Sequence, residues 1–163
     1  MYFGNQAGYS NSSGNNNVAL GTRAGYSNKS SNNLFLGYMA GYSNNLGSGN
    51  TFLGYTAGYS NVAGYYNVII GDSAGYLSNS YYNVIIGNRS GRGNTSGNYN
   101  VFIGDRAGYK SAAAKNNVFI GYESGLNTIG NGADLGAYNV FIGNQAGQAN
   151  TSGYRNEIGR AHV

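Results

Sequence analysis

The sequence predicts an all-β fold: a parallel β-solenoid, or β-roll, of about nine coils of 16–17 residues. Three observations carry this. Glycine recurs in a fixed register, a short β-prone triplet precedes each recurrence, and asparagine precedes the triplet. A fixed period of this length marks a chain built from stacked units, each too small to bury a core alone.

The first element is the glycine register. Gly4, Gly21, Gly37, Gly54, Gly71, Gly87, Gly104, Gly121, Gly143 and Gly159 follow one another at 16 or 17 residues, except for one step of 22 after Gly121. A second glycine stands four residues after each of the first nine, from Gly8 and Gly25 to Gly125 and Gly147. Ordered glycine costs extra backbone entropy, so glycine kept in register points to a repeating backbone that requires it.

The triplets are the second element. Val68-Ile69-Ile70, Val84-Ile85-Ile86, Val101-Phe102-Ile103, Val118-Phe119-Ile120 and Val140-Phe141-Ile142 are β-branched or aromatic throughout, which favours extended backbone. Asn17, Asn33, Asn50, Asn67, Asn83, Asn100, Asn117 and Asn139 precede them, and stacked Asn side chains can exchange amide hydrogen bonds from coil to coil. A second short extended piece is expected around Ala57-Gly58-Tyr59-Ser60, with the Asn, Ser and Gly-rich remainder turning back to the next strand. At the β-sheet spacing of about 4.8 Å per coil, the stack is a rod about 40 to 45 Å long.

Alternation along the strand sets two faces. The outer triplet residues, with Ala7, Ala24, Ala40, Ala57, Ala74, Ser90, Ala107, Ser124 and Ala146, are expected to line a thin interior. The middle column of Ala19, Phe35, Phe52, Ile69, Ile85, Phe102, Phe119 and Phe141 then points outward as an apolar stripe suited to an oligomer interface. The opposite phase puts the middle residues inside. Either phase leaves an apolar column uncovered, and association about an axis parallel to the rod covers it.

Tyr9, Tyr26, Tyr42, Tyr59, Tyr76 and Tyr109 follow the second glycine and form a further column, either a structural ladder of rings or an aromatic surface for a sugar or protein. Tyr38, Tyr55 and Tyr122 make a scattered second set. The solenoid is read as one domain over 1–163, with an insertion at 126–138 that bulges from one edge and a degenerate last coil at 148–163. There, Glu157 puts a charge into the middle column.

Composition narrows the function. The 163 residues include 29 Gly, 17 Tyr, 9 Lys and Arg, 5 Asp and Glu, and no Pro, Cys or Trp. Disulfides and thiolate metal sites are thereby excluded. The formal charge of +4 is dispersed, which disfavours nucleic-acid binding, and no apolar run reaches membrane-spanning length. Met1-Tyr2-Phe3-Gly4 lacks the regions of a secretory signal and begins within a repeat, as expected for a segment of a longer protein. His162 reads as a tail residue. Asp72 and Asp105 lie two coils apart, roughly 10 Å in a regular stack, but nothing nearby tunes an acid. No catalytic, cofactor or metal site is expected.

The units Asn17-Val18-Ala19-Leu20-Gly21 and Asn100-Val101-Phe102-Ile103-Gly104-Asp105-Arg106-Ala107-Gly108-Tyr109 resemble the head repeats of trimeric autotransporter adhesins. In length and tyrosine content they are more similar to the Gly-rich repeats of phage tail-fibre and related bacterial surface proteins. The resemblance implies a left-handed parallel β-roll in a side-by-side homotrimer, with the middle column at the trimer centre. It further implies a rod segment of an extracellular, cell-surface or virion tail fibre that binds a glycan or protein receptor without catalysis. A self-assembling structural filament is the alternative. The coils here are longer than those of adhesin heads, and the middle column is often Phe where the heads carry a small residue. A dimer or lateral filament therefore also fits.

Overall fold

The computed structural model describes residues 1–131 and 134–158. Each triplet forms a strand: β1 (Tyr2–Phe3), β2 (Val18–Leu20), β3 (Leu34–Leu36), β4 (Thr51–Leu53), β5 (Val68–Ile70), β6 (Val84–Ile86), β7 (Val101–Ile103), β8 (Val118–Ile120), β9 (Val140–Ile142) and β10 (Glu157–Ile158). They form one ten-stranded parallel sheet in chain order, β1 to β10. The register is exact from coil to coil, so that Phe102 pairs with Ile85 on one side and Phe119 on the other. This is the parallel β-solenoid that the sequence predicts.

The rest of each coil is turn. After β6, Ser90 N–H donates to Gly87 O at 3.2 Å and Asn94 N–H to Gly91 O at 3.0 Å, closing two consecutive turns. A third follows through a side chain: Gly97 N–H donates to Asn94 Oδ1 at 3.0 Å and Asn94 Nδ2 to Gly97 O at 2.9 Å. The second extended piece expected near Ala57–Ser60 is instead part of these turns. Its backbone still stacks as a ladder, Gly58 N–H donating to Ala74 O and Ser60 N–H to Tyr76 O, both at 3.0 Å. Turn and strand thus share one spacing.

Both glycine columns are required by contact. At Gly104, φ is +134°, and an added Cβ would fall 2.7 Å from the carbonyl carbon of Gly121 in the next coil. At Gly108 it would fall 2.8 Å from Cδ2 of the Phe102 ring. The first column lets coils approach each other, and the second leaves room for the core.

That core is the middle column. Ala19, Phe35, Phe52, Ile69, Ile85, Phe102, Phe119 and Phe141 are fully buried within a single chain, packed with Ala24, Ala40, Ala57, Ala74, Ala107 and Ala146. The expectation that these eight form an oligomer interface is therefore overturned. The coil is so thin that only one large side chain per strand fits inside, and it lies over the glycine of the second turn. The alanines and serines line the interior as expected, Ser90 and Ser124 being fully buried too. In the last coil, Glu157 pairs with Val140 and Ile158 with Phe141, so the charge stands in the outer column rather than the middle one.

Two asparagine ladders pair most of the buried side-chain amides, while Asn61 Oδ1, at the end of the second, has no hydrogen-bond partner. Asn117 N–H donates to Asn100 Oδ1 at 3.0 Å, and this bond repeats from Asn17 to Asn156, while Asn100 Nδ2 donates to Ala114 O at 2.8 Å. The second ladder runs along the closing turn, where Asn44 Nδ2 donates to Asn28 Oδ1 at 2.8 Å and Asn61 Nδ2 to Asn44 Oδ1 at 2.6 Å. Buried amides satisfied in this way hold the coil-to-coil register, because a slipped coil would strand donors away from water.

Emptying the core and overfilling it should both be costly. Phe102→Ala is expected to destabilise by about 3–5 kcal/mol through the cavity left, and Gly104→Ala by about 1–3 kcal/mol or more through overpacking. Urea unfolding followed by circular dichroism measures both.

Candidate binding surfaces

With the middle column inside, the outer triplet residues face away from the coil. Val18, Leu34, Thr51, Val68, Val84, Val101, Val118 and Val140 form one column, each partly exposed. Leu20, Leu36, Leu53, Ile70, Ile86, Ile103, Ile120 and Ile142 form the other, with Leu20 at 42% and Ile142 at 45% exposure. Side chains on a parallel in-register sheet repeat without offset, so the result is a strip two residues wide along the rod, aliphatic except at Thr51.

The tyrosine column stands on the second turn. Tyr9, Tyr26, Tyr42, Tyr59 and Tyr76 stack with centroids 4.9 to 5.1 Å apart and planes within 12° of parallel. The Arg92 guanidinium closes the stack, 5.1 Å from the Tyr76 centroid, and separates it from Tyr109 one coil further on. Burial and the neighbouring rings Tyr76 and Tyr42 raise the Tyr59 hydroxyl above the usual phenol range. Tyr38 and Tyr55 form a separate stacked pair at 5.2 Å.

The sequence reading missed a third aromatic group, on the segment just before the strands. Tyr65 stacks on Tyr81 at 5.1 Å, and Tyr66, Tyr82 and Tyr99 stack in a row at 5.3 and 5.2 Å. The two rows meet edge to face, Tyr65 with Tyr66 at 5.6 Å and 87° and Tyr81 with Tyr82 at 5.9 Å and 89°. The signal was present as two Tyr-Tyr pairs one coil apart, Tyr65-Tyr66 and Tyr81-Tyr82.

Charged groups are few, and the largest local cluster surrounds Glu123. Glu123, nearly buried, accepts hydrogen bonds from Arg106 Nη1 at 3.1 Å, Gln145 Nε2 at 3.1 Å and Gln148 Nε2 at 2.6 Å. The Gln145 hydrogen bond, then those of Arg106 and Tyr122, hold its carboxyl below the usual glutamate range against the opposing effect of burial. Asp72 accepts from its neighbour Ser73 Oγ at 2.6 Å, and Asp105 from Asn88 Nδ2 at 3.3 Å, so each is bound into its own surface column. Among the described residues no three His, Cys, Asp or Glu gather as a metal-binding group, and no helix is long and apolar enough to cross a membrane. His162 lies outside the described residues. The insertion keeps contact with the rod through Ile129 N–H to Thr151 O at 2.7 Å and Lys115 Nζ to Asp134 at 3.7 Å, while Ile129 and Leu135 stay exposed.

No family model, curated protein or solved structure matches this chain. Its functional reading therefore rests on its own surfaces.

The Glu123 cluster has a definite pH signature. A carboxyl held low in the folded state contributes stability that is fully present above the ordinary glutamate range and is lost as pH falls through it towards the folded value. Glu123→Gln should therefore lower the unfolding midpoint at pH 7 and make little difference at pH 3, as measured by urea unfolding at the two pH values. An equal loss at both would mean that packing, not charge, is what Glu123 supplies.

Proposed function

We propose that this chain is a non-catalytic rod segment of a fibre or adhesin, acting outside the cell or on a virion tail. In this reading it assembles side by side with copies of itself and presents its outer turns to a surface glycan or protein receptor. The observation that carries the proposal is the aliphatic strip, which runs in register along the sheet without a charged residue from β2 to β9. Exposed apolar surface of that extent favours association, at about 25 cal/mol per Å² covered before the costs of ordering.

A second copy is the partner that fits. Another rod of the same sequence has the same period, so rung can meet rung over the full length. The strip is two columns wide, and in a threefold ring each column meets one neighbour, the Val101 column of one rod against the Ile103 column of the next. Such a head-to-tail contact closes after three rotations. The resemblance to adhesin heads and tail-fibre repeats supports the same arrangement, with the outer columns in place of the middle one. The tyrosine turns lie outside the strip and stay free for a receptor.

Mass measurement in solution tests this. The wild type is expected at three times its 17.1 kDa chain mass. Ile86→Lys with Ile103→Lys should give a monomer whose circular dichroism keeps its β signature. A wild-type monomer at micromolar concentration would overturn the assembly, and a mass of two chains would replace the threefold ring by a face-to-face pair.

A further inference from the structure

The five-ring patch of Tyr65, Tyr66, Tyr81, Tyr82 and Tyr99 does something that the fold does not ask of it. Tyr66, Tyr82 and Tyr99 have φ of 54°, 56° and 58°, in the left-handed region. A bulky side chain is uncommon there; in other coils the equivalent place is filled by Asn16, Asn32, Gly49 and Asn116, residue types that adopt it readily, and towards the end of the rod by Tyr138 and Arg155. The backbone is thus built equally well without a ring. Gly49 adds a second observation: a Cβ there would fall 2.6 Å from Cδ1 of Tyr66, so the column carries glycine directly beneath the first ring of the row.

The rings are also left open. Tyr66 is 56% exposed and Tyr99 54%, although these are large apolar bodies. Their ring contacts are with one another, and among the described residues no hydrogen bond engages any of the five hydroxyls. No Asp, Glu, Lys or Arg occupies positions 65, 66, 81, 82, 98 or 99. The stacked rings cover one another's faces, so the patch offers ring edges, free phenol hydroxyls and no charge, repeating along the rod every 5.1 to 5.3 Å.

We propose that this patch binds an extended, uncharged β-1,4-linked polysaccharide lying parallel to the rod axis. The inference rests on the receptor-binding reading above and gives it a site and a ligand class. The hydroxyls of a pyranose exchange hydrogen bonds with phenols, and its aliphatic C–H groups pack against the outward ring edges. A β-1,4-linked chain is straight and advances by nearly one strand spacing per sugar, so each sugar meets an equivalent rung. An α-1,4-linked chain curves away after a few sugars. The absence of charge on the patch favours a neutral chain over an acidic one.

Isothermal titration of the intact chain with cellohexaose, xylohexaose and maltohexaose tests the proposal. Binding to one or both β-1,4-linked oligomers is expected, with maltohexaose at least about tenfold weaker. The triple variant Tyr66→Asn, Tyr82→Asn, Tyr99→Asn uses the residue that other coils carry and should keep its circular dichroism and solution mass. It should lose binding by at least about tenfold, the scale of a few ring contacts. Failure of the wild type to bind either β-1,4-linked oligomer, or binding that survives the triple variant, overturns the site. A change of mass in the triple variant would overturn it too, by making the patch the rim of an interface between copies. Loss of binding on Tyr42→Ser with Tyr59→Ser alone would move recognition to the first ladder, overturning this site while leaving the receptor-binding reading intact.

Discussion

Every feature of this rod depends on adjacent coils approaching to β-sheet distance around their whole perimeter, turns included. At the strand this is ordinary parallel pairing. At the corner after each strand it is possible only because the residue there is glycine, since at Gly104 a side chain would strike the backbone of the coil below. The turns then repeat at the strand spacing, and like residues come to stand above like. Stacked amides, stacked rings and the largely aliphatic strip all follow from that one close approach.

The same constraint makes the coil thin. A coil of 16 or 17 residues, closed by three turns, encloses space for one large side chain opposite a row of alanines and glycines, which is why Phe35, Phe52, Phe102, Phe119 and Phe141 form a core one side chain deep. A core so narrow supplies limited burial per residue, and the buried asparagines share the task of holding the stack. Asn100 bonds both to Asn117 of the next coil and to Ala114 in the closing turn, so its loss disturbs strand and turn together. What the interior cannot accommodate, the other two residues of every triplet, remains on the outside as apolar surface.

Much of this was legible in the sequence. The period, strand positions, inward alanines and the coil-to-coil asparagine bonds follow from residue register alone. The phase of the strand was not, because Val101, Phe102 and Ile103 are all apolar and alternation then names no inner face. The deciding relation was steric: the glycine four residues beyond Gly104 lies beneath the Phe102 ring, which only the middle residue can reach. Reversing the phase leaves an apolar strip in place and doubles its width, so the argument for association survives with different residues. The last coil misled for a related reason. It is one residue short before Gly159, so counting back from that glycine puts Glu157 in the middle column, whereas pairing follows the asparagine ladder and sets it beside Val140. The five-ring patch was visible as paired tyrosines but carried no weight until the left-handed backbone at Tyr66, Tyr82 and Tyr99 was known.

In the proposed side-by-side assembly, copies of this chain meet through the two outer columns, not the middle one. The chain has no cysteine, which permits a direct geometric measurement: Val101→Cys and Ile103→Cys, singly and together, oxidised and resolved by mass under denaturing conditions. A ring in which one column faces the other predicts covalently closed trimers from the double variant and no cross-linked product from either single variant. Cross-linked dimers from a single variant, or no linked species from the double variant, would contradict it.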